Sequence, residues 1–242
     1  NIVTSYENID LLQPLVDGLK KSFPEITTIV NNINTRKADV SFGEYEIHLY
    51  GKPALQEKLG DIDFEISANS FFQTNSPMAE QLYQTAVDAA KLNGNDVVYD
   101  LYCGTGSITM FIANKVKEVH GFEVIVSAVE DATRNAVQNG IGNVFFHVAN
   151  LDNFFKFGKG SKYPRPDVIF IDPPRAGMHK FMTNYLPKFE AKKIVYISCN
   201  PSTQARDAAI LQTKGYTLDN LAIVDLFPHT PHIESVGVFK KK

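Results

Sequence analysis

A chain of 242 residues that is 44% hydrophobic can bury one sizeable core, or one core with a small appended unit. Its net charge of −3 excludes a generally basic surface, so any surface that binds nucleic acid must be local. Two cysteines without paired spacing argue against a disulfide framework or a zinc site, and no stretch is long and apolar enough for a membrane span. We therefore expect a cytoplasmic protein without metal, and favour a monomer. Because the chain begins at Asn1 rather than Met, we also expect it to be a fragment.

Residues 1–75 predict a small α+β unit. Apolar residues recur at helical spacing over residues 10–23, and strand patterns cover residues 26–33, 44–50 and 61–66. Ser76 and Pro77 begin a helix that ends before Asn93 and Gly94. We place a domain boundary at this helix start, which makes residues 76–242 a second, larger domain.

From residue 96 onwards, strand and helix patterns alternate. Strands are predicted at residues 97–101, 119–123, 144–148, 168–171, 194–198, 221–226 and 235–239, with helices from residue 107 and over residues 127–139, 181–189 and 202–214. Repeated strand–helix units predict an α/β fold with a mostly parallel seven-stranded sheet and helices on both faces. The tight connection between the last two strands predicts one antiparallel strand at the end.

Cys199 stands where a strand has ended and a helix has not yet begun. Open parallel sheets bind ligands outside the carboxyl ends of their strands. Pro201 breaks the chain there, and Ser202 is predicted to cap the following helix. Because it lies near a helix N-terminus and Arg206, the thiol is expected to ionise more easily than a free cysteine. It is a candidate nucleophile, and the alternative is a small buried apolar residue that ends a strand.

A glycine turn and an acidic residue predict a nucleoside-type cofactor. Gly104 and Gly106 follow the strand over residues 97–101, and Glu123 ends the next strand, where its carboxylate can accept both ribose hydroxyls. A nicotinamide dinucleotide is disfavoured because the third glycine of its motif is missing, and S-adenosylmethionine fits better. The alternative is a structural turn beside a surface glutamate.

Two loops carry further candidates. In the first, Asp172 precedes two prolines and Arg175, whose forked donors suit a phosphate or a carbonyl that gains negative charge. A turn with a solvated arginine is the alternative. The loop over residues 227–234 offers His229, His232 and Glu234, where a metal site is conceivable, but no further strong ligand is supplied nearby. Glu234 is the better candidate for a general base, whereas the histidines are more often hydrogen-bonded loop residues.

The sequence closely resembles the RNA (uracil-5-)-methyltransferase family. Five motifs occur in the family order, at residues 70–75, 100–106, 172–175, 198–201 and 229–234. The resemblance implies a Rossmann-like class I methyltransferase fold and methylation of uridine C5 in RNA with S-adenosylmethionine. It further implies that residues 1–75 are a remnant of a central, RNA-contacting domain. Many members also carry an OB-type domain and some an iron–sulfur cluster, neither of which is visible here.

The resemblance also implies roles for individual residues. Cys199 is the nucleophile that adds to C6 of uracil, and Glu234 is the base that removes the C5 proton. The cofactor-binding residues implied are Gln73, Tyr102, Gly104, Ser107, Glu123, Asn150 and Asp172. The substrate-binding residues expected are Arg175, Phe72 and His229, with Phe71 and Tyr102 as further rings that could stack on the base. The residues of the motifs at 100–106 and 229–234 are more similar to family members that act on ribosomal RNA, which favours 23S rRNA over tRNA as the substrate.

Without the resemblance, the residues are also compatible with three other functions. A methyltransferase acting on an exocyclic amino group would leave Cys199 structural. A non-catalytic RNA-binding module would keep the fold and the cofactor pocket without transfer. A nicotinamide oxidoreductase is disfavoured by the missing third glycine.

Overall fold

A computed structural model describes residues 1–35, 43–151 and 163–242. Its helices are α1 (Ile9–Ser22), α2 (Ser76–Ala90), α3 (Ser107–Ile112), α4 (Val126–Gln138), α5 (Lys180–Tyr185) and α6 (Pro201–Thr213). Its strands are β1 (Ile2–Thr4), β2 (Thr28–Ile33), β3 (Tyr45–Gly51), β4 (Leu55–Leu59), β5 (Ile62–Ile66), β6 (Val97–Leu101), β7 (Glu118–Glu123), β8 (Val144–Val148), β9 (Val168–Ile171), β10 (Lys193–Ser198), β11 (Tyr216–Val224) and β12 (Glu234–Lys241). In this part of the chain no helix has the length and apolarity needed to cross a membrane.

Seven strands form the large sheet, in the order β11-β12-β10-β9-β6-β7-β8. Strands β10, β9, β6, β7 and β8 pair in parallel, and β12 runs antiparallel to both β10 and β11. The prediction of a mostly parallel seven-stranded sheet with one antiparallel strand near its end is therefore confirmed. The reversed direction of β12 brings its first residue, Glu234, to the edge where the parallel strands end.

The central strands are buried on both faces, which is why they read as continuous apolar runs. One face packs under α2 and α3 through Val98, Phe170, Ile197 and Val236 among others. The opposite face packs against α5 and α6 through residues of the other parity, such as Tyr99, Ile171 and Tyr196. Successive residues of each strand therefore direct their side chains to opposite faces of the sheet.

The N-terminal residues form two smaller sheets. Strands β1, β2 and β3 make a three-stranded sheet, and β4 pairs with β5 in a hairpin. Leu59, Phe64 and Ile66 of this hairpin belong to the same core as α2, although they precede the expected boundary at residue 76. The hairpin is thus packed directly on the larger domain.

Helix α4 holds the hairpin with a ladder of polar side chains. Asn135 accepts from the backbone N–H of Glu65 (2.8 Å) and donates to its carbonyl (3.0 Å), and Asn139 does the same for Asp63 (2.9 and 2.7 Å). One turn earlier, Asp131 accepts from the backbone N–H of Ser67 (3.1 Å). Side chains four residues apart on a helix thus satisfy backbone groups two residues apart on a strand.

Some boundaries differ from the sequence prediction. The strand predicted at residues 221–226 runs over Tyr216–Val224, with a register shift between Leu218 and Asn220 that interrupts its pattern. β1 and β4 were not predicted, since β1 has three residues and β4 is mostly exposed. The cap of α6 is Asn200 rather than Ser202: its side chain accepts from the Ser202 N–H (3.1 Å) and Pro201 takes the first helical position.

Candidate active site

Four side chains converge at the carboxyl edge of the sheet: Asp100, Asp172, Cys199 and Glu234. Each lies two residues from a core residue that faces α2, namely Val98, Phe170, Ile197 and Val236. Because strand side chains alternate between faces, all four are directed to the α2 side of the sheet. The topology therefore brings together residues from four separate strands or strand ends.

The pairing of β10 with β12 places Cys199 beside Glu234. Ser198 is opposite Ser235 in this antiparallel ladder, so Cys199 and Glu234 are the next residues outward. Cys199 is partly exposed, whereas Glu234 is buried. A thiol open to the cleft thus has a buried carboxyl as its immediate neighbour.

The surroundings of Cys199 do not favour its thiolate. Burial, then Glu234 and Asp172, raise the pKa of the Cys199 thiol, and Arg175 opposes them. The expectation that Arg206 lowers this pKa is wrong, because its guanidinium donates to Asp207 Oδ1 (2.8 Å) and to the carbonyl of Ala176 (3.1 Å). Burial and the neighbouring carboxyls therefore favour the neutral thiol over the thiolate.

Three carboxyls of the cluster have raised pKa values. Burial raises the pKa of Asp100 to about 7 and that of Glu234 to about 7. Burial, followed by the charges of Glu234 and Asp100, raises the pKa of Asp172 to about 8. Asp100 accepts from Thr109 Oγ1 (2.6 Å), while its buried Oδ1 has no partner among the described residues. Such a group of carboxyls fits a ligand that carries positive charge.

Tyr83 and Asp100 were not singled out from the sequence. The Tyr83 hydroxyl lies 3.1 Å from Ser107 Oγ, and its pKa is raised by burial and then by Asp172. Asp100 could have been found from the sequence, because it is a charged residue inside the otherwise apolar strand over residues 97–101. Tyr83 has no such signal, because it reads as one of the apolar positions of α2.

The glycine turn and Glu123 form a second group of predicted residues. Glu123 accepts from the N–H groups of Gly104 (3.1 Å), Val124 (2.7 Å) and Ile125 (2.9 Å), which fixes its carboxylate at the end of β7. Beside it is a cavity of about 150 Å³, lined by Tyr102, Glu123 and Asn150 among others. Gly106, with φ +78°, opens α3, and a Cβ there would lie 2.7 Å from the Phe146 ring, so only glycine fits.

The segment over residues 70–75 is fixed from α4 and lies on the other side of this turn. Asp131 accepts from Ser70 Oγ (2.6 Å), and Thr105 Oγ1 donates to the Phe71 carbonyl (3.5 Å). Phe72 packs on Phe64 with ring centroids 5.1 Å apart, whereas Phe71 is 65% exposed. Gln73 lines a cavity together with residues of the N-terminal unit such as Thr28 and Val30.

Two loops meet above Cys199. The Arg175 guanidinium donates to His232 Nδ1 (3.1 Å), and the Arg175 carbonyl accepts from Asn200 Nδ2 (3.1 Å). His229 is exposed, with φ +69°, and no described contact joins it to Arg175. Of the two histidines in the loop, His232 is the one with a described hydrogen bond to Arg175, whereas His229 is the one that was predicted to bind substrate.

The fold is that of Rossmann-like methyltransferases. The structure of tRNA m1G37 methyltransferase from M. jannaschii aligns with 100% of this chain and 71% of its own, with a TM-score of 0.61 and 13% identity. At that identity the likeness concerns the fold alone.

The family model for tRNA (uracil-5-)-methyltransferase matches residues 50–242, and the chain belongs to this family. The crystal structure of Pyrococcus abyssi tRNA (uracil-54, C5)-methyltransferase in complex with S-adenosyl-L-homocysteine is 33% identical, with a TM-score of 0.75, and covers 98% of this chain and 55% of that one.

Curated relatives agree with this assignment. An uncharacterised RNA methyltransferase of Chlorobaculum tepidum is 44% identical over 243 residues, covering 100% of this chain and 50% of its own length. Another from Staphylococcus aureus is 42% identical over 240 residues, covering 99% and 52% respectively. The chain thus spans about half the length of the curated relatives it matches.

Proposed function

We propose that this chain is the catalytic part of an enzyme that methylates C5 of uridine in RNA with S-adenosylmethionine. The observation that carries the proposal is the position of Cys199 beside Glu234 at the carboxyl edge of the sheet. A nucleophile and a base next to each other are what substitution at C5 of a pyrimidine requires. An amino-group methyltransferase has no need of this pair.

The cofactor fits the two groups of residues described. Glu123 and the glycine turn suit the ribose, and Tyr102 and Asn150 line the adjoining cavity. The carboxyls of Asp100 and Asp172 suit positively charged groups. When bound, S-adenosylmethionine supplies an electrophilic methyl group on a sulfonium, and its positive charge favours ionised carboxylates and thiolate nearby.

The residues of the chain then act in sequence on the uracil ring. The Cys199 thiolate adds to C6, forming an S–C6 bond and moving the C5–C6 electron pair to give an enolate with charge on O4. After C5 has gained the methyl group, Glu234 takes the C5 proton. The electron pair of that C–H bond reforms the C5–C6 double bond and expels the thiolate.

Arg175 supports the charged state of the ring. Its guanidinium stabilises negative charge near Cys199, since it lowers the pKa of that thiol against the effect of the carboxyls. We assign it to the developing charge on O4 or to a phosphate of the RNA. A stacked uridine hides C5 and C6, so the target base must be flipped into the cleft, where Phe71 and Tyr102 offer aromatic rings.

A trapping experiment tests the proposal. RNA with 5-fluorouridine at the target should become covalently attached to Cys199, because fluorine cannot leave as a proton does. The adduct is measured on a denaturing gel and mapped by mass spectrometry, with Cys103 as the internal comparison since it is buried. Binding without an adduct under turnover conditions contradicts the mechanism.

The RNA that carries the uridine is a second part of the proposal. The residues of two sequence motifs, at 100–106 and 229–234, favour 23S rRNA. The 33% identical P. abyssi structure, in contrast, is of an enzyme named for uracil-54 of tRNA. Mass mapping of 5-methyluridine in ribosomal RNA and in tRNA from cells that lack the gene decides between them. Loss of the mark from 23S rRNA alone is the expected result, and loss from tRNA alone contradicts it.

A further inference from the structure

A buried polar contact lies directly behind Cys199 and Glu234. Gln204, in the first two turns of α6, is 5% exposed, and Ser235, the second residue of β12, is 2% exposed. Gln204 Oε1 is 2.9 Å from Ser235 Oγ, and Gln204 Nε2 donates to the carbonyls of Tyr196 (2.8 Å) and Ser235 (3.4 Å). The Ser235 hydroxyl is also 3.2 Å from the Ser198 carbonyl. We call Gln204 and Ser235 the clamp.

The clamp joins the two chain segments that carry the reacting groups. Ser198 precedes Cys199, and Ser235 follows Glu234, so each clamped strand residue is adjacent to one candidate catalytic residue. Gln204 itself stands on the helix that begins after Cys199. One amide side chain thus contacts β10 and β12 from a helix that is continuous with the Cys199 turn.

The clamp lies on the opposite side of the sheet from the reacting groups. Ser235 alternates with Glu234 and Val236, which face α2, so its side chain is directed to α6. Gln204 and Ser235 therefore do not touch a substrate in the cleft. They act only through the backbone positions of Cys199 and Glu234.

We infer that Gln204 and Ser235 are positioning residues that fix the separation of Cys199 from Glu234. This inference rests on the proposed function, because it assigns the clamp to the steps that use both groups. A displacement of about 1 Å at a reacting pair costs on the order of 100-fold in rate. Cofactor contacts at Glu123 and the glycine turn are on other strands and are independent of the clamp.

The decisive variant is Gln204→Leu, which replaces the amide with an apolar side chain of similar size and removes all the side-chain hydrogen bonds. Full-length protein is assayed with methyl-labelled S-adenosylmethionine and bulk RNA from cells lacking the gene. We expect kcat to fall about 10- to 100-fold, the Kd for S-adenosylmethionine to change less than about twofold, and a covalent adduct with ordinary RNA to accumulate because proton removal is slowed. Gln212→Leu, at an exposed glutamine of the same helix, is the control.

The outcome is separable from failure of the proposed function. If the wild-type protein forms no adduct with 5-fluorouridine RNA, the proposed function fails. If it does, and Gln204→Leu keeps kcat within about twofold of Gln212→Leu, the clamp has no positioning role and the inference is overturned.

A second pair of variants decides the matter if Gln204→Leu does not fold. Ser235→Ala removes the hydroxyl, and Ser235→Thr retains it on a residue that strands favour. We expect Ser235→Ala to lower kcat and Ser235→Thr to restore most of it. Equal kcat values for the two variants contradict the inference.

Discussion

At the residue scale, the notable property of Cys199 is that its neighbours oppose its ionisation. Burial, followed by Glu234 and Asp172, raises the pKa of the thiol, and Arg175 is the cation that opposes this rise. A cationic ligand among these carboxyls would reverse that balance, because it favours the charged form of each group. Nucleophile activation is thereby linked to the occupancy of the site.

Replacing Cys199 with alanine separates chemistry from binding. Cys199→Ala should abolish methyl transfer, since no other described thiol reaches the cleft, and should leave S-adenosylmethionine binding within about threefold. Turnover is measured by label transfer to RNA and binding by calorimetry. Cys103→Ala removes the other cysteine as a control, and comparable methylation by Cys199→Ala removes the thiol from the mechanism.

Glu234 makes activity dependent on pH. Its pKa is raised to about 7, and only the carboxylate can accept the C5 proton, so the rate of adduct resolution should rise as pH increases through about 7. Glu234→Gln should slow this step by about 100-fold or more and accumulate methylated adduct. Single-turnover gels across pH 6–9 measure it, and unchanged resolution in Glu234→Gln assigns the base elsewhere.

At the element scale, the helix over residues 127–139 was predicted, whereas the contacts of α4 with the β4–β5 hairpin were not. Asn135 and Asn139 carry no sequence motif, yet their side chains bind the backbone of β5. The strand–helix alternation and the motifs at strand ends were predictable because apolar periodicity and glycine or proline turns are local signals. Contacts such as those of Arg206 with Asp207, or of Arg175 with His232, depend on tertiary packing and were not predictable.

Asn135→Ala tests the ladder. The change removes two hydrogen bonds of a fully buried amide and leaves the Glu65 backbone groups without this partner, so it should destabilise the fold by about 1–3 kcal/mol. Gln138→Ala, on the exposed face of the same helix, should change stability by less than about 0.5 kcal/mol. Urea denaturation measures both, and equal effects would show that the ladder contributes nothing.

At the scale of the whole molecule, the carboxyl cluster links stability to pH. The pKa values of Asp100, Asp172 and Glu234 are raised to about 7, 8 and 7 from ordinary values near 4. Between those limits the folded protein binds more protons than the unfolded chain. The stabilisation from protonated carboxyls is therefore complete below about pH 4, decreases as pH rises, and is lost once pH has passed the folded pKa values of about 7 to 8.

Asp100→Asn should show how much of the pH dependence of stability comes from Asp100 rather than from other titrating groups. The variant carries no charge at that position, so its melting temperature should exceed that of the wild type by several degrees at pH 8, and the difference should vanish near pH 4. Asp88→Asn, at an exposed position of α2, should show no such trend. Thermal unfolding across this range without added cofactor is the measurement, and a pH-independent difference contradicts the assignment.

Helix α4 begins three residues after Glu123, and its Asp131 holds Ser67 and Ser70, just before Gln73. The end of β7 and the segment over residues 67–70 are consequently attached to a single helix. Any tilt of that helix would displace both segments together, so moving one of them alone would first require these contacts to break.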